Sequence, residues 1–152
     1  MMKRITYISR YAQPMSEDKL RALGEAAAVK NRQLGVTGIL MASGGIFYQV
    51  LEGSAEHVEQ LYSTIARDGR HTDILLLQSE DDVPEKLFPD WSMKTINLDA
   101  ASHVRLFPLK ALIKAVFDQQ MVVRNMIWSI ERTVQHEMTM KAHQETKFLE
   151  KT

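Results

Sequence analysis

Four polar side chains interrupt rows that are otherwise apolar. Tyr7 shares one face of a short strand with Ile5. Gln49 stands between Phe47 and Leu51 in an alternating row. Asn31 lies eight positions after Leu23 and four after Ala27, at the margin of a helical stripe. Asp68 follows the apolar stripe of a second helix. A buried amide or hydroxyl without a partner costs roughly 1–3 kcal/mol. Four such groups on elements that converge beneath two helices point to a shared polar ligand. A phenol, two carboxamides and a carboxylate are suited to holding and exchanging hydrogen bonds. Taken singly, each has a plainer explanation: a strand tyrosine usually packs in a core, a helix-terminal asparagine caps, and a lone strand glutamine faces water.

The elements that must position these groups follow from periodicity. Residues 5–9 alternate as a strand. Ser16 is placed to cap a helix, with Glu17 and Asp18 complementing its dipole. That helix runs to about residue 34, carries Leu20, Leu23, Ala27 and Leu34 as its stripe, and stops at Gly35. Strands over 36–41 and 46–52 flank the turn signal Ser43, Gly44, Gly45. Ser54 caps a helix over about 55–67, with Val58, Leu61, Tyr62 and Ile65 inward. Residues 74–79 form a nearly continuous apolar strand, expected to be covered on one or both faces. One more strand falls within 91–98. The order β-α-β-β-α-β-β predicts an α+β fold, a ferredoxin-like sheet with two helices on one face.

Residues 1–100 therefore read as one domain and 101–152 as C-terminal helices. Leu106, Leu109, Leu112, Ile113 and Val116 recur at helical spacing, and a second segment starts near Met121. The pattern predicts a helical hairpin broken near residues 118–120. It either covers the open face of the sheet or forms a dimer seam. Beyond about His136 the chain is polar and expected to fray.

Composition narrows the function. The 152 residues are 45% hydrophobic and 25% charged, the balance of an ordinary globular chain. Nineteen basic residues cancel nineteen acidic ones, which argues against nucleic acid as the main partner. No cysteine is present, so disulfides and thiol chemistry are excluded. His57, His71, His103, His136 and His143 are scattered, without metal-site spacing. No apolar run spans a bilayer and no signal core follows Arg4, so a cytoplasmic protein is expected. GxSxG, P-loop and GxGxxG motifs are missing, and no turnover enzyme is indicated. A ferredoxin-like regulatory or RNA-binding module remains as an alternative, although the paired aromatics of an RNA-recognition motif are absent.

Five segments in order carry a resemblance: RITYIS (4–9), KNRQLGVTGIL (30–40), FYQVLEG (47–53), RDGRHTDI (67–74) and FPDWSMKTINL (88–98). They resemble a BLUF domain, a blue-light sensor that uses a flavin. The first hundred residues are especially similar to the sensor module of light-activated adenylyl cyclases. The resemblance implies that Tyr7 donates an electron and a proton to the excited flavin, and that Gln49 lies between Tyr7 and the ring. It implies that Asn31 bonds the ring edge and that Asp68, Arg70 and His71 sit near the ribityl chain and pyrimidine side. Leu23 and Ile65 would contact the two ring faces. Trp91, Ser92 and Met93 would transmit the signal. Lys30 stands where many relatives carry asparagine or histidine; it either reaches the flavin or phosphate edge or stays in water.

The implied cofactor is FAD, with FMN or riboflavin also fitting. The implied device is hydrogen-bond rearrangement at Gln49, passed to the C-terminal helices. The absence of cysteine excludes the cysteine–flavin adduct of LOV domains. A homodimer or larger homo-oligomer, and a downstream protein partner, are expected. The alternative is a sensor fragment of a longer light-activated cyclase or other effector.

Overall fold

The computed structural model describes residues 1–151. Strand β1 (Met2–Tyr11) leads to helix α1 (Glu17–Leu34), strands β2 (Thr37–Ser43) and β3 (Ile46–Ser54), helix α2 (Ala55–Ala66), and strands β4 (His71–Glu80) and β5 (Lys94–Asn97). The Ser16 hydroxyl accepts from the Lys19 N–H, and Glu17 and Asp18 occupy the first turn of α1. Gly35 ends α1 in the left-handed region at φ 67°, while the Val36 N–H returns to the Asn31 carbonyl at 2.9 Å. Gly44 and Gly45 both have positive φ, so the β2–β3 hairpin turns tightly. Ser54 caps α2 through the His57 N–H.

The strands lie in the order β4-β1-β3-β2-β5. All pairings are antiparallel except β2 with β5. This is the ferredoxin-like α+β arrangement with a fifth strand added. Strand alternation assigns Ile5, Tyr7 and Leu51 to one face, where they pack with Val36, Val58 and Leu61. Leu20, Leu40, Ala42 and Phe47 form a second buried cluster.

A short 3-10 segment (Ala101–Leu106) precedes helix α3 (Pro108–Glu150). Ile113 and Phe117 are buried, and the Arg10 guanidinium lies 4.9 Å from the Phe117 ring centre. The chain forms two compact units, one spanning Met1–Phe117 and the other beginning at Asp118.

Two expectations need correction. The C-terminal hairpin is one continuous helix: residues 118–120 are Asp-Gln-Gln, polar but helix-compatible, and no glycine or proline follows Pro108. The polar stretch after His136 is not irregular but helical, and the helix continues to Glu150. Strand β4 is an edge strand paired only with β1; it is covered on one face, where Ile74 packs against the core, as expected, while Leu76 is exposed. Among the described residues, no helix is long and apolar enough to cross a membrane.

Candidate functional site

A cavity of about 450 Å³ is walled by α1, α2 and the sheet. Tyr7, Leu40, Phe47 and Gln49 come from the strands. Leu23, Lys30 and Asn31 come from α1, and Leu61 and Ile65 from α2. Asp68, Arg70 and His71 complete the lining. All nine residues expected to bind the ligand therefore line one space.

Tyr7 and Gln49 are direct cross-strand partners of β1 and β3, and both are buried. The Tyr7 hydroxyl donates to Gln49 Oε1. That bond fixes the amide, so Nε2 points the other way and meets Met93 Sδ at 3.8 Å. Burial pushes the Tyr7 phenol well above its ordinary pKa, and Tyr62 and Asp68 add to the effect. The phenol is thus a neutral donor.

Asn31 is held at both ends. Its backbone carbonyl closes α1, and its side-chain Nδ2 donates to the Ser92 carbonyl at 2.8 Å. Asp68 accepts from the Arg70 N–H, Nε and Nη2, the last at 2.6 Å. This pairing lowers the Asp68 carboxyl to about 2 from an ordinary 3.8. Burial pushes the His71 imidazole down, partly opposed by Asp68. Its Nδ1 lies 3.2 Å from Ser9 Oγ, and its ring meets Tyr11 and Phe47 edge-on.

Because the Asp68 pKa is depressed on folding, its ion pair contributes stability above about pH 4 and loses it as pH falls towards 2. The contribution is small, since Arg70 is mostly exposed. Asp68→Asn is expected to flatten the part of a melting-temperature series between pH 4 and 2; a variant that keeps the wild-type slope there would reject this assignment.

The three residues expected to transmit the signal separate. Met93 faces Gln49, and Ser92 meets Asn31 through its carbonyl. Trp91 accepts from the Gly38 N–H with its carbonyl at 3.0 Å, while its side chain is 44% exposed. Gly38 has no room for a side chain there, because a Cβ would lie 1.9 Å from the Val50 carbonyl oxygen.

Other lining residues escaped sequence reasoning. Ala22, Ala26 and Ala27 leave the α1 wall recessed, and Lys19, Tyr11 and Thr64 line the same cavity. Their trace in the sequence is a cluster of small residues on the Leu23 face of α1. The result is a cavity that combines apolar side chains, the polar Tyr7, Asn31 and Gln49, and the cations Lys19, Lys30 and Arg70, which fits an aromatic cofactor with anionic groups.

The family model for sensors of blue light using FAD matches residues 2–94. The chain belongs to the BLUF family. Photoactivated adenylate cyclase subunit beta of Euglena longa is 37% identical over 90 residues, which are 59% of this chain and 10% of that protein. The blue light- and temperature-regulated antirepressor BluF of Escherichia coli K12 is 32% identical over 119 residues, 78% of this chain and 28% of that protein. The structure of a bacterial light-regulated adenylyl cyclase matches with a TM-score of 0.75 at 38% identity, covering 82% of this chain and 36% of the other. BlrB, a BLUF protein in its dark state, matches with a TM-score of 0.60 at 29% identity, over 78% of this chain and 96% of BlrB. The chain spans about a tenth of the length of the Euglena cyclases it matches. This BLUF chain is a flavin-using blue-light sensor module, and FAD is the family's cofactor.

Proposed function

We propose that this BLUF protein senses blue light through Tyr7 and Gln49 and reports it through Met93 and α3. One observation carries the reading: a single amide, Gln49, joins the Tyr7 hydroxyl at its oxygen and Met93 at its nitrogen. Leu23 and Ile65 would hold the two faces of the FAD ring, Lys30 and Asn31 its edge, and Asp68, Arg70 and His71 the ribityl side. When bound, the flavin supplies blue-light absorption and an electron acceptor. Tyr7 is placed to release an electron, with its proton passing along the existing bond to Gln49 Oε1. Gln49 then turns or tautomerises, and its donor and acceptor atoms exchange partners. That exchange withdraws the Nε2 donor from Met93. In a buried site each rearranged hydrogen bond counts for more than in water.

The purified protein is expected to be yellow, to shift its flavin absorption to the red under blue light, and to recover in darkness. A colourless protein, or one whose spectrum ignores light, would refute the reading.

The output reading continues along α3. Val123, Ile127, Ile130 and Val134 recur at spacings of four, three and four, and all are exposed. That is a two-stranded coiled-coil seam, suited to a second copy of the chain. Ile127→Lys is expected to reduce a dimeric mass to that of one chain in light scattering; an unchanged dimer would place the contact elsewhere. The signal would pass to a protein partner in the cytoplasm. The second reading, a sensor part of a longer effector, is favoured by the cyclases that carry this region as a tenth of their length.

A further inference from the structure

The connection from β4 to β5 (residues 81–93) works as a strap anchored at its middle and at its far end. At the middle stands Glu52, fully buried with 0% exposure. Its Oε1 accepts from Arg4 Nε at 2.6 Å and from the Leu87 N–H at 2.8 Å. Its Oε2 accepts from the Phe88 N–H at 2.9 Å. The Leu87 side chain is 61% exposed, so the carboxylate rather than apolar burial holds the strap at Leu87. At the far end, Gly38, Asn31 and Gln49 take Trp91, Ser92 and Met93 in turn. Glu52 and Gln49 lie three residues apart on β3, so their side chains leave opposite faces of the sheet. One strand thus grips the strap at two points, its middle and its far end.

A buried ion pair is a poor stabiliser compared with apolar packing, and its best-attested use is to fix one arrangement among several. Resting on the reading of Gln49 as the switch, we propose that Glu52 is a positioning residue for the photoswitch. It sets the register of the strap so that Met93 reaches the Gln49 amide. Glu52 accepts with both oxygens at once, and it offers no donor to the two backbone N–H groups. An amide in its place keeps one acceptor oxygen and turns an NH₂ group towards a remaining donor. Glu52→Gln therefore loosens the strap while leaving the volume unchanged.

The test is a double-mutant cycle on dark recovery, with Glu52→Gln, Met93→Ala and the pair in the full chain. Each single variant is expected to change the recovery rate in the same direction, Glu52→Gln by at least about threefold, and the pair is expected to show little further change. Non-additivity is the signature of action through Met93, and a general loss of stability would not produce it. Glu52→Gln recovering at the wild-type rate, or rate effects that multiply, would overturn the proposal. If Glu52→Gln does not fold, Glu52→Asp enters the same cycle, because it keeps the charge opposite Arg4 but draws the oxygens back by one carbon. A wild-type protein without a red shift overturns the switch and the positioning role together. A photoconverting wild type with a multiplicative cycle overturns Glu52 alone.

Discussion

Tyr7→Phe is expected to keep its flavin and lose the red-shifted photoproduct. Phenylalanine fills the same space against Leu51 and Val58, so the core and the cavity walls stay in place. What disappears is the hydroxyl that donates to Gln49 Oε1. No other phenol takes over that bond. The Tyr62 ring lies 5.5 Å from the Tyr7 ring, close enough to give up an electron but without a hydrogen bond to Gln49. Tyr62→Phe is therefore expected to photoconvert, and Tyr7→Phe is not. The stability cost of Tyr7→Phe is the unpaired acceptor on Gln49, about 1–3 kcal/mol. Absorption spectra before and after blue light decide the matter. A Tyr7→Phe protein with a normal photoproduct removes tyrosine from the mechanism.

The parts of this site that sequence could show are those governed by strand alternation. Tyr7 and Gln49 stand out because a period of two assigns each of them to an apolar face, and the hairpin register then makes them neighbours. Asn31 stands out by the same logic at helical period. Alanine is silent in this respect: Ala22, Ala26 and Ala27 shape the cavity by what they lack, and an apolar stripe absorbs them without remark. Glu52 was equally hidden, since a charged residue near the end of a strand reads as a solvated terminus. Besides its cross-strand neighbour Arg4, its partners are the backbone N–H groups of Leu87 and Phe88, 35 and 36 residues away, and no periodicity points to those two. The contrast between Met93 and Trp91 depends on the path of the strap, which local pattern does not encode. At residues 118–120 local pattern misled outright, because three polar residues imitate a break that only glycine or proline would enforce.

Gln49→Leu separates the two halves of the proposed device. Leucine is close to glutamine in size and brings no hydrogen-bonding group, so the cavity keeps its walls on α1 and α2 and flavin binding is expected to persist. Tyr7 is 1% exposed, and its hydroxyl is left without its acceptor, at a cost of about 1–3 kcal/mol. Met93 loses the Nε2 donor already in darkness. On the proposed reading Tyr7 would still line the flavin site and could release an electron, but its proton would have no amide oxygen to receive it. Electron release alone then reverses without rearranging anything, and no red shift is expected on illumination. Transient quenching of flavin fluorescence should survive, because it requires only the phenol. A Gln49→Leu protein that shows a normal red shift would place the rearrangement at another residue. If it shows neither quenching nor red shift, the electron pathway itself needs the Tyr7–Gln49 bond, and the two residues act as a single unit.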